Sequence, residues 1–211
     1  MKKALIIIDL QNDFLPGGAL AVPQGDLIIP VVNRLLDFPF DLKLATKDWH
    51  PKGHISFAST HHMNPGEKII WENSTQILWP EHCVQGSFGA SFPKDLNVEK
   101  IDTVFYKGQD SDKDSYSTFF DNARLKSTNL DAYLKEKQVQ ELFIAGLATD
   151  YCVKYSVLDA LSLGFKVHLI LDACKAVNLK EEDEKKAIDE MQKHGAILTS
   201  SISNVFQKLG I

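Results

Sequence analysis

The sequence predicts an α/β protein of three layers, α/β/α, in which a doubly wound, mainly parallel sheet of six strands lies between helices. Two observations on the 211 residues predict this fold. Short apolar runs rich in β-branched residues recur along the chain, and segments of helical periodicity separate them. Runs that are apolar at successive positions suit strands buried on both faces, as in parallel sheets. Alternation of strand and helix implies right-handed crossovers, so the carboxyl ends of the strands, where such sheets bind ligands, meet at one edge.

The order of elements follows from these runs and segments. The predicted strands are Ala4–Ile8, Leu42–Thr46, Thr103–Tyr106, Leu142–Ala145, Lys166–Leu171 and Ala196–Thr199. The predicted helices are Leu27–Phe38, Leu130–Glu136, Asp150–Leu163, Glu181–His194 and a short Ile202–Leu209. An interval at about 49–97 breaks the alternation and holds most of the histidines. Because long structureless loops in compact domains usually build a site, we expect a single domain over 1–211 with a functional insertion at about 49–97.

Charge and composition restrict the partners of the protein. The chain has 23 basic and 28 acidic residues, a net charge of −5, and no long run of one sign. This distribution excludes a nucleic-acid footprint and a polybasic membrane patch, and it favours a small-molecule or protein partner. The apolar run Ala4–Ile8 is too short for a signal peptide, and no stretch approaches the roughly 18 apolar residues of a membrane span. We therefore expect a soluble, cytoplasmic protein.

The three cysteines, Cys83, Cys152 and Cys174, are an odd number and include no C-x-x-C motif. This pattern argues against a disulfide framework and against a structural zinc cluster. We expect all three thiols to be reduced.

Cys152 is the cysteine whose position suggests chemistry. The segment Gly146–Cys152 leads from a predicted buried strand into a helix, which places the thiol in the first helical turn. Free N–H groups and the helix dipole at that position favour a thiolate and could stabilise a developing oxyanion. The alternative is a small buried core side chain, which is a common environment for free cysteine.

Asp9 and Lys107 each follow an apolar run directly. A carboxylate at the end of a buried strand needs a cation or hydrogen-bond donors, and Lys107 is placed to supply the charge. The alternative for Lys107 is a side chain that extends to solvent. If the groups meet, Asp9 accepts the thiol proton, Lys107 keeps that acid ionised, and Cys152 is the nucleophile.

The insertion contains residues of metal-ligand type. Asp48 and His50 are two residues apart, and His82 completes a set of two histidines and one carboxylate. This set suits a divalent ion such as zinc, iron or manganese with open positions for water or substrate. A D-x-H motif alone is a weak signal, and His54 is a candidate extra ligand nearby.

A series of motifs carries a family resemblance in a fixed order along the chain. These motifs are Leu5–Phe14 with Gly17–Leu20, Asp48–His50, Ser56–Ala58, Trp79–Val84, Lys107–Gly108, Asp114–Phe119 and Gly146–Val153. They resemble the nicotinamidases, also called pyrazinamidases, of the isochorismatase-like hydrolase superfamily, from about residue 4 to about residue 178. The first and last motifs mark the superfamily broadly, whereas D-W-H with W-P-x-H-C-V is typical of the nicotinamidase branch.

The resemblance implies a catalytic triad of Asp9, Lys107 and Cys152 on the isochorismatase-like hydrolase fold. It also implies that Asp48, His50 and His82 bind one divalent metal ion per chain. Zinc is the first choice for this ion, with iron and manganese as alternatives. Waters or a residue near 54–56, either His54 or Ser56, would fill the rest of the coordination shell.

The resemblance further implies the residues that surround the substrate. Phe14, Trp79 and Tyr116 would line the pocket together with Ala148. The backbone N–H groups of Ala148 and Cys152 would form the oxyanion hole. The peptide bond before Ala148 would be cis.

The implied reaction converts nicotinamide and water to nicotinate and ammonia, a step of NAD salvage, and pyrazinamide is an expected second substrate. The small-molecule partner is then nicotinamide, and the chain could act as a monomer or a homo-oligomer. The main alternative is another isochorismatase-like hydrolase that acts on a different small amide. The motif pair at 48–50 and 79–84 argues against this alternative.

Two further classes of protein remain as rival interpretations. Two histidines and a carboxylate also serve non-haem iron oxygenases, but those enzymes use an H-x-D order on a β barrel. A metal-binding domain without catalysis would share the fold. The chemically competent residue is present at every triad position, so the sequence gives no sign of lost chemistry.

Overall fold

The computed structural model describes residues 1–72 and 74–199, and a parallel sheet runs through the centre of this part of the chain. Its strands are β1 Lys2–Ile8, β2 Leu42–Asp48, β5 Thr103–Lys107, β6 Val139–Leu147, β7 Lys166–Lys175 and β8 Ile197–Thr199. They lie in the order β5-β2-β1-β6-β7-β8, and every neighbouring pair is parallel. The predicted doubly wound sheet of six strands is therefore confirmed.

Helices cover both faces of this sheet. The α-helices of the described residues are α1 Ile29–Leu36, α2 Leu130–Glu136, α3 Lys154–Ser162 and α4 Asp183–Lys193. A hydrophobic core lies on each face of the sheet, and alternate residues of β1 pack into the two cores. Leu5 and Ile7 pack in the core that contains α1, whereas Ile6 and Ile8 pack in the core that contains α2, α3 and α4. Each fully buried Leu or Ile side chain contributes about 1.5–3 kcal/mol. No helix of the described ranges is long and apolar enough to span a membrane.

The predicted helices agree with these elements in number and place, apart from one that cannot be compared. The interval 202–209 lies outside the described residues. The predicted helix Asp150–Leu163 is divided, because a π-helical turn, Thr149–Val153, precedes α3. Such turns are frequent at functional sites, and this one contains Cys152.

The interval at about 49–97 contains a two-stranded antiparallel hairpin that the periodicity did not reveal. Its strands are β3 Lys68–Trp71 and β4 Ser74–Ile77. Both strands are only four residues long, and neither alternates apolar and polar positions, so there was no period to detect.

The carboxyl ends of four neighbouring strands meet at one edge of the sheet. β1 ends at Ile8, β2 at Asp48, β5 at Lys107 and β6 at Leu147. Gly146 permits the close packing of β1 and β6, because a Cβ at this position would lie 2.1 Å from the carbonyl oxygen of Ile8. The polar residues at the strand ends are thereby brought within reach of one another.

An ion cluster lies at the opposite end of the sheet, near the amino ends of β6 and β7, with Glu141 and His168 buried and Lys166 half-exposed. The Glu141 carboxylate lies 2.6 Å from His168 Nε2 and 2.6 Å from Lys166 Nζ. The His168 ring stacks on Phe143 with ring centroids 4.4 Å apart. Burial acts to raise the pKa of Glu141, but the hydrogen bonds from Lys166 and His168 outweigh burial, so this pKa is lower than usual.

A lowered carboxyl pKa stabilises the folded state at neutral pH. The contribution is complete above the unfolded pKa of the glutamate and disappears as pH falls through the lower folded pKa. We expect Glu141→Gln to lower the free energy of unfolding at pH 7 by about 1–3 kcal/mol, since charge-assisted hydrogen bonds are lost. Below the folded pKa the difference from the wild type shrinks. Urea denaturation between pH 7 and pH 3 measures both effects.

Glu136→Gln is the matched control for this prediction. The carboxylate of Glu136 is exposed and pairs with the neighbouring Lys137 at 3.2 Å. Its loss is expected to change stability by less than about 0.5 kcal/mol. A pH-independent loss of stability in Glu141→Gln would contradict the ionic explanation.

Candidate active site

The Lys107 ammonium is the centre of the site. It lies 2.9 Å from Asp9 Oδ2, 2.5 Å from Asp48 Oδ1 and 3.4 Å from Cys152 Sγ. All four residues are buried. The structure therefore brings together the acid, the cation and the thiol that were predicted at the strand ends, and Lys107 does not extend to solvent.

Two further contacts orient this group. The Thr46 hydroxyl donates a hydrogen bond of 2.6 Å to Asp9 Oδ1. Lys107 Nζ donates to the carbonyl oxygen of Ser115 at 2.9 Å. Within residues 1–72 and 74–199, no hydrogen bond of good geometry reaches the second oxygen of Asp9, although the Lys107 ammonium lies 2.9 Å from it. That oxygen is the one available to a proton.

The two carboxylates have different acidities. Burial acts to raise the pKa of Asp48, but Lys107 and His50 outweigh it and hold this pKa well below its usual value. Burial raises the pKa of Asp9, and the nearby negative charge of Asp48 raises it further, against the opposing effect of Lys107. When the environment pushes the pKa values of two neighbouring acids apart, the acid with the lower pKa commonly stays charged and the acid with the higher pKa commonly carries protons. Of this pair, Asp9 has the raised pKa that suits a proton carrier.

The Lys107 side chain stays charged in this environment. Burial acts to lower the pKa of its ammonium, but Asp48 and Asp9 outweigh burial and raise this pKa well above its usual value. A charged lysine between two carboxylates compensates their repulsion.

Cys152 lies in the π-helical turn Thr149–Val153. Burial raises the pKa of its thiol well above the usual value, and Asp9 and Asp48 add to this effect, whereas Lys107 opposes it without outweighing them. This direction opposes the expectation that the helix start favours a thiolate. A nucleophilic role for the thiol would require a base, and a carboxylate oxygen of Asp9 lies within 4.8 Å of its sulfur.

Asp48, His50 and His82 form a buried group with the geometry of a metal site. Asp48 Oδ2 lies 3.5 Å from His50 Nε2 and 3.8 Å from His82 Nε2. The Nδ1 atoms of the two rings contact the carbonyl oxygens of Gly108 at 2.9 Å and Pro80 at 2.7 Å, which directs both Nε2 atoms to Asp48. His50 Nε2 is buried and has no hydrogen-bond partner among the residues that the structure describes. Rings held through Nδ1 with Nε2 free are typical of metal-ligating histidine, so these residues fit a metal ion.

His54 lies beside this group, and a ring nitrogen lies within 4.8 Å of ligand atoms of His50 and Asp114. Its Nδ1 lies 2.7 Å from the Ser56 hydroxyl, and its Nε2 lies 3.1 Å from the carbonyl oxygen of Lys113. Burial, with the neighbouring His50, lowers the pKa of His54 to about 4. Both ring nitrogens have a partner in the loop, and the role of His54 as an extra ligand stays a prediction.

A pocket of about 400 Å³ opens beside Cys152. Its lining includes each residue predicted to contact substrate: Phe14, Trp79, Tyr116 and Ala148. It also includes residues that the sequence analysis did not select, namely Leu20, Asp114, Tyr151 and Val177. Asp48, His82 and Cys152 complete the lining, so the pocket joins the candidate metal group to the thiol. A mostly apolar pocket with a few convergent polar groups is typical of small-molecule sites.

The aromatic walls of the pocket hold one another in place. Trp79 Nε1 donates a hydrogen bond of 3.1 Å to the Tyr116 hydroxyl, and the Tyr151 ring meets Trp79 edge to face with centroids 5.0 Å apart. Asp114 is buried, and its carboxylate accepts hydrogen bonds from the backbone of Ser115 at 2.8 Å and from Gln76 Nε2 at 3.0 Å. The sequence signal for Tyr151 was its position next to Cys152, and Asp114 lay in a quoted motif without an assigned role.

The backbone before the π-helical turn has the predicted geometry. The Leu147–Ala148 peptide bond is cis. The carbonyl oxygen of Ala148 accepts hydrogen bonds from the N–H groups of Tyr151 and Val153, both at 3.1 Å. The chain thus passes from the end of β6, beside the pocket, to Cys152 within five residues.

Comparison with known proteins identifies the class. A family model of the isochorismatase domain matches residues 3–203, and the chain belongs to this family.

Several relatives share nearly the whole chain. A nicotinamidase of Escherichia coli is 48% identical over 199 residues, which are 93% of this chain and 93% of the relative. A nicotinamidase/pyrazinamidase structure from Acinetobacter baumannii has a TM-score of 0.91 and 40% identity, covering 94% of this chain and 96% of that chain. A pyrazinamidase structure of Pyrococcus horikoshii in complex with zinc has a TM-score of 0.75 and 37% identity, covering 95% of this chain and all of that chain. The resemblance drawn from the motifs is confirmed.

Proposed function

We propose that this protein is a nicotinamidase, an amidohydrolase that converts nicotinamide and water to nicotinate and ammonia. The observation that carries this proposal is the Cys152 thiol, which lies 3.4 Å from Lys107 Nζ in an aromatic-walled pocket shared with Asp48 and His82. The nicotinamidase relatives of high identity support the same substrate. Pyrazinamide, a ring of similar size with a carboxamide, is a second substrate. In a cell this reaction supplies nicotinate to NAD salvage, and we place the protein in the cytoplasm.

Acylation begins with a proton transfer. Asp9 accepts the proton of the Cys152 thiol, and the sulfur attacks the carboxamide carbon. The backbone N–H groups of Ala148 and Cys152 stabilise the oxyanion. Asp9 then gives the proton to the amide nitrogen, the C–N bond breaks, and ammonia leaves a thioester on Cys152. The raised pKa of Asp9 suits it to both proton transfers.

Deacylation repeats the sequence with water. Asp9 accepts a proton from water, the oxygen attacks the thioester carbon, and the same N–H groups stabilise the second oxyanion. The C–S bond breaks, the sulfur recovers the proton, and nicotinate leaves. Lys107 keeps its charge throughout and offsets the negative charge that moves between Asp9 and the sulfur.

We assign Asp48, His50 and His82 as ligands of one divalent ion, with zinc as the first choice. A zinc-containing structure of a pyrazinamidase relative supports this choice. When bound, the ion supplies a Lewis acid that attracts the ring nitrogen of the substrate. Phe14 and Trp79 contact the faces of the ring and leave its carboxamide beside Cys152.

Ammonia release from nicotinamide tests the proposed function. The purified protein is assayed with nicotinamide and with pyrazinamide, each before and after treatment with a chelator. We expect turnover of both amides, loss of activity in the chelator and recovery after zinc is added. A protein that releases no ammonia from nicotinamide, but does so from an unrelated small amide, would assign the chain to another hydrolase of the family.

Removal of a histidine ligand tests the metal assignment. We expect His50→Ala to lose most of its metal by elemental analysis and to raise KM for nicotinamide by at least about tenfold, since ring orientation is lost while Cys152 and Asp9 remain. His62→Ala is the matched control, because this histidine is exposed and lies in the same insertion. Equal metal content in the two variants would remove His50 from the ligand set.

A further inference from the structure

The segment between Asp9 and Phe14 carries two side chains that the proposed reaction does not use. Gln11 is fully buried, and Asp13 lies beside the loop that follows His82. Both side chains bind backbone atoms at or next to candidate metal ligands.

Gln11 holds the backbone of Asp48 from both sides. Its Nε2 donates to the carbonyl oxygen of Asp48 at 2.8 Å, and its Oε1 accepts from the N–H of Asp48 at 2.8 Å. The same Nε2 donates to the carbonyl oxygen of Ala90 at 3.0 Å. A buried amide with its donor and acceptor both engaged fixes the position of the residue that it brackets.

Asp13 holds the residue that follows His82. Its Oδ2 accepts a hydrogen bond of 2.7 Å from the N–H of Cys83. The carbonyl oxygen of Cys83 accepts a hydrogen bond of 3.0 Å from the N–H of His50. Cys83 has a φ of +49°, a left-handed backbone conformation that residues other than glycine rarely adopt. Its hydrogen bond to Asp13 supports this conformation. Asp13 thus connects to both candidate histidine ligands through one residue.

We propose that Gln11 and Asp13 are positioning residues that set the metal ligands: Gln11 through Asp48, and Asp13 through Cys83 between His82 and His50. This inference rests on the proposed metal-dependent function. It gives the N-terminal motif two separate tasks. Asp9 and Phe14 meet the substrate, and Gln11 and Asp13 align the metal group.

The surroundings of Asp13 allow little displacement. A Cβ added at Gly89 would lie 2.0 Å from Asp13 Oδ2, so glycine at this position leaves the space that the carboxylate occupies. Gly89→Ala therefore displaces the Asp13 carboxylate without removing it. This substitution offers a test of position that is separate from a test of charge.

The experiment measures metal release from zinc-loaded protein to a chromophoric chelator. We expect Gln11→Met and Asp13→Ala to release zinc at least about tenfold faster than the wild type, and Gly89→Ala to resemble Asp13→Ala. Asp13→Asn keeps one acceptor oxygen for the N–H of Cys83 and is expected to release zinc at an intermediate rate. Excess zinc should restore kcat in each variant, because the thiol and Asp9 are unchanged.

Asn12→Ala is the matched control within the same motif. Asn12 donates to the carbonyl oxygen of Phe88 at 2.9 Å, so the variant loses a hydrogen bond to the same loop without a bond to a ligand residue or its neighbour. Its zinc release should equal that of the wild type. The melting temperatures of the zinc-free proteins measure general destabilisation. If Gln11→Met does not fold, Gly89→Ala still tests the positioning role, through Asp13.

The outcomes separate the two proposals. Variants that melt at a lower temperature but release zinc at the wild-type rate would overturn the positioning role and leave the proposed function intact. A wild-type protein that binds no zinc, iron or manganese would overturn the metal assignment and this inference together. A wild-type protein that holds zinc without hydrolysing nicotinamide would overturn the proposed substrate, while the difference in release rates would still support the positioning role.

Discussion

Cys152→Ala is expected to abolish ammonia release from nicotinamide, with kcat reduced by at least about 10⁴-fold. Removal of a covalent nucleophile leaves only the contribution of binding and of the oxyanion donors. The variant should keep its fold and its metal, because the Cβ still fills the buried turn and the sulfur is not assigned to the metal group. A coupled assay for ammonia, circular dichroism and elemental analysis measure these three properties.

Cys174→Ala is the matched control for the loss of a thiol. Cys174 is also buried, and it lies in β7, outside the lining of the pocket. Its substitution should cost some stability and leave kcat within about twofold of the wild type. Near-normal turnover in Cys152→Ala would exclude covalent catalysis by this residue.

Lys107→Met is expected to have the largest effect on stability. The variant leaves Asp9 and Asp48 buried near each other without a cation, and removal of one partner of a buried ion pair costs about 3–5 kcal/mol. The pKa of each carboxyl group should rise once the ammonium is gone. Stability relative to the wild type should therefore recover as pH falls and the carboxylates take up protons. Urea denaturation at pH 7 and at pH 5 measures the recovery.

Lys126→Met provides the comparison for Lys107→Met. Lys126 is an exposed lysine that pairs with Asp110 at 2.7 Å, and the loss of such a surface pair changes stability little. If Lys107→Met lowered the free energy of unfolding at pH 7 as little as Lys126→Met does, the Lys107 ammonium would not be compensating the charges of the two buried acids. Activity should be lost in Lys107→Met in addition, because Asp9 would then hold its proton.

The meeting of Asp9, Lys107 and Cys152 was predictable from one physical rule. Parallel strands end at a common edge, and each of these residues follows a strand or stands a few residues beyond it. The strand order places β5, β2, β1 and β6 side by side, so the predicted convergence agrees with the observed distances. The apolar runs located the strands and their ends, because a strand that is buried on both faces consists almost entirely of apolar residues.

The surroundings of these groups were harder to predict, because they depend on packing between distant segments. Tyr151 lies in the π-helical turn before α3 and lines the pocket. His54 is a candidate ligand by residue type, and its contacts with Ser56 and Lys113 depend on how two loops pack. The acidity of Cys152 depends on burial and on two carboxylates from other strands, and no local pattern reports these.

The burial of the Cys152 thiol also bears on how the protein would withstand oxidants. Peroxide and other oxidants attack thiolates much faster than thiols, and each further step beyond sulfenic acid is hard to reverse. Burial raises the pKa of Cys152, which favours the thiol over the thiolate. In the proposed mechanism, the same desolvation that makes the sulfur depend on a base would therefore also protect it from oxidative damage between turnovers.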